Sequence, residues 1–174
     1  MDSLVFATTF GRCSLGWGPD GVRSLRFLGT GRDRAKPSET APLWVFEAVR
    51  KITDHLAGRP ADLASIPLDL SVLTPFQREV AAVLRETRPG ETLSYGDVAL
   101  RMGRPGAARA VGHAVKTNPL LLLVPCHRVV ARDGEGGFSA FGSLQVKRGL
   151  RELEAPRPGA RAGHTGRDDA PPAR

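Results

Sequence analysis

The sequence is short of the residues that stabilise secreted proteins and of the apolar runs that cross membranes. It has only two cysteines in 174 residues, Cys13 and Cys126, which do not make a disulfide framework. It has no run of about 18 apolar residues, so we expect no transmembrane helix. The first residues, Met1 to Ser3, lack the basic region of a signal peptide. These shortages predict a reduced, intracellular compartment, which we take to be the cytoplasm.

Positive charge, by contrast, is in excess and unevenly distributed. The chain has 25 Lys and Arg against 18 Asp and Glu, a net charge of +7. Residues 75–154 hold 12 basic and 8 acidic residues, whereas residues 1–74 hold 9 and 8. A basic excess of this kind suits a polyanionic partner such as DNA. An arginine-rich composition on a solvated surface would produce the same total, so the charge alone leaves both explanations open.

The first 72 residues predict a small α/β domain that ends in a linker. Three strand-like runs occupy residues 4–10, 13–17 and 22–28. Pro19-Asp20-Gly21 is a turn, because proline presets one φ angle and glycine permits a positive one. A helix capped by Thr40 follows, with helical spacing at Leu43, Phe46, Val49, Thr53 and Leu56. Residues 61–72 are interpreted as the linker, and Cys13 as a buried structural cysteine.

Residues 73–154 predict a second, mostly helical domain, and residues 155–174 a disordered tail. Thr74, Pro75 and Gln77 form a capping box with proline at the first helical position. Ser94 caps a second helix, which ends at Gly103. A third helix over residues 107–116 follows after a glycine-containing turn, so the last two helices are interpreted as a helix-turn-helix.

The third of these helices predicts two different faces. Helical spacing places one set on an inward face: Ala107, Ala110, Val111 and Ala114. The opposite face carries Arg109, Gly112, His113 and Lys116. A small residue between cations allows a helix to lie close to a groove while the cations meet phosphates. A solvated basic face is the alternative.

Cys126 follows an apolar run that predicts a buried strand. The run is Leu120–Val124, and Pro125 ends it before three helical turns could form. A thiol needs a nearby base or positive field to become the reactive thiolate, and His127 is adjacent. Most buried cysteines are inert, so the residues alone leave a structural role open as well.

These residues carry a resemblance to a known family. The motif Pro125-Cys126-His127-Arg128-Val129, with Asn118-Pro119 ahead of it, resembles the active-site signature of O6-alkylguanine-DNA alkyltransferases. Members of that family repair DNA by moving an alkyl group from guanine to their own cysteine. The resemblance runs from about Thr74 to Glu154. It implies a ribonuclease H-like α/β N-terminal domain, with a small antiparallel sheet plus a helix, followed by a mostly α winged-helix or helix-turn-helix-like DNA-binding domain.

The resemblance also implies a role for each matching residue. Cys126 matches the acceptor, His127 the base that draws its proton through a water, and Glu154 the carboxylate that orients this histidine. Tyr95 matches a donor to guanine N3, and Asn118 a brace for the turn. The implied DNA contacts are Arg109, which fills the place of the flipped nucleotide, together with Ala108, Gly112, Lys116 and Arg128. The implied pocket residues are Tyr95, Val129, Phe141 and Lys147.

The implied reaction is single-turnover repair by a monomer. The protein would bind double-stranded DNA through the minor groove and flip out O6-alkylguanine, and also O4-alkylthymine. The alkyl group would then pass irreversibly to Cys126, because a thioether is a poor leaving group. No metal or cofactor is implied. We expect the thiol of Cys126 to ionise well below an ordinary cysteine, since His127 held by Glu154 favours the thiolate.

Two departures from the family pattern bear on this expectation. Phe141 stands where a small or hydroxyl residue is usual, which affects the shape of the pocket, and Gly149 weakens a helix that usually carries a bulky residue there. The alternatives are a non-catalytic module that senses alkylated DNA and a plain helix-turn-helix regulator. A cysteine hydrolase fits less well, because an adjacent Cys-His pair does not by itself place imidazole over thiol.

Overall fold

An antiparallel sheet opens the chain. The structure is a computed structural model that describes residues 2–28, 41–132 and 144–155. Strands β1 (Asp2–Thr8), β2 (Gly11–Gly18) and β3 (Gly21–Leu28) pair in that order, and they confirm the three predicted strands. Gly21 has a φ of 133°, and a Cβ there would lie 2.6 Å from the carbonyl oxygen of Pro67. Only glycine therefore fits this turn.

Helix α1 (Leu43–Leu56) packs on the sheet through a face that matches the predicted one only in part. Its buried residues are Val45, Ala48, Ile52 and Leu56, whereas Leu43 is 75% exposed and Phe46 is 50% exposed. The predicted spacing was thus confirmed at Leu56 and wrong at Leu43, Phe46 and Thr53, because Val45, Ala48 and Ile52 face the core instead. Pro42 occupies the cap position. The predicted cap, Thr40, lies outside the described residues.

The segment predicted as a linker hydrogen-bonds to the sheet. Val22 N donates to Pro67 O at 2.9 Å, and Asp69 N donates to Val22 O at 3.0 Å. Asp69 also accepts from Ser71 N, which begins a 3₁₀ turn over Leu70–Val72. This segment therefore covers the outer edge of β3.

Four further helices and two short strands follow within the described ranges. They are α2 (Pro75–Arg85), β4 (Leu93–Ser94), α3 (Tyr95–Arg101), α4 (Ala108–Lys116), β5 (Val129–Val130) and α5 (Leu144–Glu154). Both predicted capping residues are confirmed, because Thr74 and Ser94 each form a capping box at the start of α2 and α3. Strands β4 and β5 pair in parallel, which joins the start of α3 to the segment after Cys126. No helix in the described ranges is long and apolar enough to cross a membrane.

Helix α4 has the two faces that the spacing predicted, with one exception. Val111, Ala114 and Val115 are buried, whereas Ala110, predicted to face inward, is exposed. The helix is rotated slightly from the predicted wheel, because Val115 buries more apolar surface than Ala110 would. Arg109, His113 and Lys116 lie exposed on the other side, as predicted.

The run Leu120–Val124 is buried, but it is not the predicted strand. Leu25 N donates to Pro119 O at 2.9 Å, and Leu120 makes a single bridge to β3. The chain then turns back on itself, with Val124 N donating to Leu120 O at 2.8 Å and Leu122 at a φ of 68°. A positive φ is unusual for a branched residue. Burial of all five side chains in the core stabilises this turn.

Candidate active site

Cys126 begins a 3₁₀ turn, Cys126–Arg128, and its side chain is completely buried. Asn118 holds the chain that leads to it: its Nδ2 donates to Val124 O at 3.2 Å, and its Oδ1 accepts from Leu120 N at 3.0 Å. Cys126 N donates in turn to Val124 O at 2.7 Å. Asn118 therefore fixes the turn that positions the thiol, as its place before the motif implied.

The surroundings of Cys126 favour the protonated thiol, contrary to the expectation from sequence. Burial raises its pKa to about 11, and this outweighs the opposing effects of a hydrogen bond from Asn118 and the positive charge of Lys147. The expectation failed because it considered the base beside the thiol and not the dry core around it. A thiol in this state needs a base to remove its proton before it can act as a nucleophile.

His127 lies next to Cys126 in the chain and contacts Glu154 across the fold. Its Nε2 lies 3.0 Å from Glu154 Oε1, and the imidazole is 0% exposed. A carboxylate only accepts, so Nε2 carries the proton and Nδ1 keeps the lone pair. Nδ1 is buried with no hydrogen-bond partner among the described residues. The tautomer that Glu154 selects thus leaves Nδ1 able to accept a proton.

Arg128, predicted as a DNA contact, is instead buried beside Glu154. Its guanidinium donates to both oxygens of Glu154 at 2.8 Å, from Nε to Oε2 and from Nη2 to Oε1. Its Nη1 donates to Thr87 O at 2.6 Å. The prediction was wrong because a basic residue in a motif was assigned to the surface, whereas this one neutralises a buried carboxylate.

Glu154 is ionised despite being 9% exposed. Burial raises its pKa, but the hydrogen bonds from His127 and Arg128 outweigh this and lower it to about 2. Glu154 is the last residue of α5, where a carboxylate opposes the helix dipole. The buried guanidinium of Arg128 and the N–H of His127 compensate for this. Sequence reasoning found the pair of Glu154 with His127 and missed the contribution of Arg128 and Thr87.

Two other predicted residues lie close to the thiol. Lys147, on α5, is 1% exposed, and its charge acts on Cys126. Burial and the proximity of Cys126 raise the pKa of Tyr95. The Tyr95 ring also lies beside Gly112 on α4, where an added Cβ would sit 3.8 Å from the ring. Val129 is completely buried in β5, directly after the 3₁₀ turn.

Two cavities border the residues of this site. An open cavity of about 320 Å³ is lined by Tyr95, Ala108, Ala131 and Arg132 among others, at the start of α4. A larger cavity of about 470 Å³ lies against Arg128 and Glu154, and Tyr95 does not line it. Cys126 lines neither of these two cavities. The first is the better candidate for a base pocket because it joins Tyr95 to α4. Phe141, a predicted pocket residue, lies outside the described residues.

A histidine from α1, which sequence reasoning missed, also reaches this cluster. His55 Nε2 lies 3.8 Å from Glu154 Oε1. Nothing in the spacing of α1 marks this residue, because the contact is made across the fold. No group of three or more potential metal ligands is present within the parts of the chain that the structure describes.

The fold and the site define a class of protein: one that keeps a buried cysteine beside a histidine–carboxylate pair, next to two short helices with an exposed basic face. Residues 75–156 match the family model described as 6-O-methylguanine DNA methyltransferase, DNA binding domain. The Salmonella typhimurium methylated-DNA–protein-cysteine methyltransferase is 46% identical over 105 residues, which cover 60% of this chain and 60% of that protein. The Methanosarcina acetivorans protein of the same name is 34% identical over 161 residues, covering 88% and 98%.

The fold gives the same answer. The crystal structure of Mycobacterium tuberculosis OGT in complex with DNA matches with a TM-score of 0.75 and 35% identity, over 90% of this chain and 96% of that one. The chain belongs to the methylated-DNA–protein-cysteine methyltransferase family. The family resemblance drawn from the motif around Cys126 is thereby confirmed.

Proposed function

We propose that this protein repairs DNA by moving the alkyl group of O6-alkylguanine to Cys126, once per molecule. The observation that carries the proposal is the buried His127–Glu154 pair, which leaves a lone pair on Nδ1 of the histidine that follows Cys126 in the chain. A histidine base oriented by a carboxylate is the general arrangement that activates a nucleophile. The curated relatives named above support the same activity.

The chemistry follows from the protonation states. His127 Nδ1 accepts the proton of Cys126, through a water, and becomes an imidazolium stabilised by Glu154. The sulfur then attacks the alkyl carbon, so that an S–C bond forms and the C–O6 bond breaks. Its electron pair stays on guanine, and Tyr95 offsets that charge from the N3 side. The thioether cannot leave again, so each molecule reacts once.

DNA recognition rests on the exposed face of α4. Arg109 and Lys116 present cations, and Gly112 allows close approach beside the Tyr95 ring. We infer that this face enters the minor groove of double-stranded DNA, that Arg109 replaces the flipped O6-alkylguanine, and that Ala108 lines its path. O4-alkylthymine presents an alkyl oxygen in a similar position and is the second proposed substrate.

The proposal also covers the folds of the two units, the oligomeric state and the location in the cell. We infer a ribonuclease H-like N-terminal unit over residues 1–72 and a winged-helix-like unit over residues 73–154. The protein would act as a monomer beside the chromosome in the cytoplasm.

The intact mass of the protein after incubation with O6-methylguanine duplex tests the transfer. We expect a gain of one methyl group per chain, mapped to the peptide that carries Cys126, and no turnover with excess DNA. Cys126→Ala abolishes the gain and keeps DNA binding, whereas Cys13→Ala keeps both. DNA binding without any mass gain in the unmodified protein would identify a non-catalytic module instead.

A further inference from the structure

His55 lies near the site, and the proposed reaction gives it no role. It comes from α1, in the N-terminal part of the chain, and its side chain is 16% exposed. Its Nε2 is buried with no hydrogen-bond partner in the described ranges. That nitrogen lies 3.8 Å from Glu154 Oε1, the same oxygen that binds His127 at 3.0 Å.

The oxygen Oε1 is already fully used in this arrangement. It accepts from His127 Nε2 at 3.0 Å and from Arg128 Nη2 at 2.8 Å, which occupies both of its lone pairs. At 3.8 Å, neutral His55 contacts the carboxylate without a hydrogen bond. His55 can therefore gain Oε1 only at the expense of one of the two present donors.

As the pH falls, we expect His55 to take up a proton before His127 does. A proton added to His55 makes its ring a cation, whose Nε2–H faces Glu154 Oε1 and forms an ion pair with it. A proton added to His127 lands on buried Nδ1, which gains no partner among the described residues. Burial lowers the pKa of both imidazoles below the ordinary value, and Glu154 pulls both the other way. The new ion pair and the partial exposure of its side chain favour protonation of His55 first.

Other charges around His55 do not reverse this order. Arg128 and His127 face it from the 3₁₀ turn, and both disfavour a second positive charge. Asp62 and Arg85 line the cavity on one side of it, and Arg59 the cavity on the other, so the surrounding charges are mixed. Glu154 remains the carboxylate that its Nε2 faces.

We propose that His55 is a positioning residue that acts on His127 through Glu154, and that it must be neutral for transfer to occur. Protonated His55 draws Oε1 away from His127 and adds a cation beside the imidazolium that the reaction has to form. The inference rests on the proposed function of Cys126 and His127. It gives the N-terminal part of the chain a direct effect on the chemistry.

The pH dependence of a single transfer tests this. Rates are measured between about pH 5 and 8 with saturating O6-methylguanine duplex, for the unmodified protein and for His55→Gln. Glutamine has a similar reach and does not titrate. We expect equal rates at the upper end and a rate ratio that rises to roughly threefold or more in favour of His55→Gln in acid, because only one of two inhibitory protonations remains.

One control variant and the shape of the pH profile separate this from a structural role. Arg50→Gln, an exposed change on the same helix, keeps the unmodified acid limb. If His55→Gln lowers the rate by one constant factor at every pH, or leaves the acid limb in place, the proposal is overturned.

A measurement without any substrate covers the case in which the variant does not fold. The chain has four histidines, so the ring signals of His55 and His127 can be assigned in the unmodified protein by NMR. We expect His55 to take up its proton at a higher pH than His127, and the reverse order overturns the proposal. Absence of transfer at every pH would instead refute the proposed function, while the order of titration would still decide the role of His55.

Discussion

Phe10 occupies the space that a side chain at position 149 would need. A Cβ built on Gly149 would lie 2.6 Å from Cε1 of Phe10. The contact joins the β1–β2 turn to α5, the helix that ends in Glu154, and Phe10 also packs edge-on against Phe27 at 6.4 Å. The glycine that weakens α5 as a helix is therefore what allows the N-terminal sheet to dock against it.

The effect of Gly149→Ala on the free energy of unfolding should change sign when Phe10 is also replaced by alanine. We expect Gly149→Ala to destabilise the protein by about 1 kcal/mol, because displacing Phe10 costs more than the helix gains. In a Phe10→Ala background the same change should stabilise by about 0.5–1 kcal/mol, the intrinsic preference for alanine. Urea unfolding of the four proteins measures both values. Equal effects in the two backgrounds would show that Phe10 moves aside freely.

Glu154 should make stability depend on acid. Its pKa is about 2 in the folded protein against 4.5 ordinarily, so its contribution is complete above about pH 4.5 and is lost as pH falls towards 2. This amounts to about 3 kcal/mol, and Glu154→Gln should lose it at neutral pH and converge with the unmodified protein in acid. Glu79→Gln is the matched control, because Glu79 binds Arg104 with similar geometry on the surface. We expect that change to cost less than about 1 kcal/mol.

Free Cys126 should behave as a weakly acidic thiol. With a pKa of about 11, its rate of iodoacetamide labelling should rise roughly tenfold per pH unit from neutral to mildly alkaline conditions, without a plateau. Peptide mapping separates it from Cys13, whose pKa burial also raises to about 11. Lys147→Met should slow the labelling of Cys126 further, since the charge that favours the thiolate is removed. A plateau near neutrality would restore the expectation from sequence.

Replacing Arg109 and replacing Lys116 should impair the protein in different ways, one in the reaction on bound duplex and the other in DNA binding. Lys116→Ala should weaken DNA binding, lower the salt slope by about one and be rescued by excess duplex, as for a phosphate contact. Arg109→Ala should stay slow on saturating duplex, because the compensation for unstacking is lost. Its reaction with the free base O6-benzylguanine should be near normal. Equal losses on both substrates would assign Arg109 to the fold of the pocket.

The sequence predicted the features that depend on local chemistry. The caps Thr74 and Ser94, the three strands and the exposed cations of α4 all follow from neighbouring residues, and the structure bears them out. The family motif led to Glu154 as the partner of His127, a contact between distant residues that spacing alone does not reveal.

The features that the sequence did not predict depend on contacts between residues that are distant in the chain. The turn at Leu122 takes a positive φ that no local pattern predicts, and the core stabilises it. Arg128 reads as a surface cation until Glu154 is placed beside it. The pKa of Cys126 depends on how dry its surroundings are, which a motif does not state.

The hydrogen bond from Leu25 to Pro119 has a consequence for how the protein is made. It joins β3 to the segment that carries Cys126, so the loop between them must close before the site exists. A nascent chain leaving the ribosome can form its sheet early, but it cannot assemble the site until α5 has also emerged. If each molecule acts once, the cell's capacity for this repair is set by how many chains complete that late step.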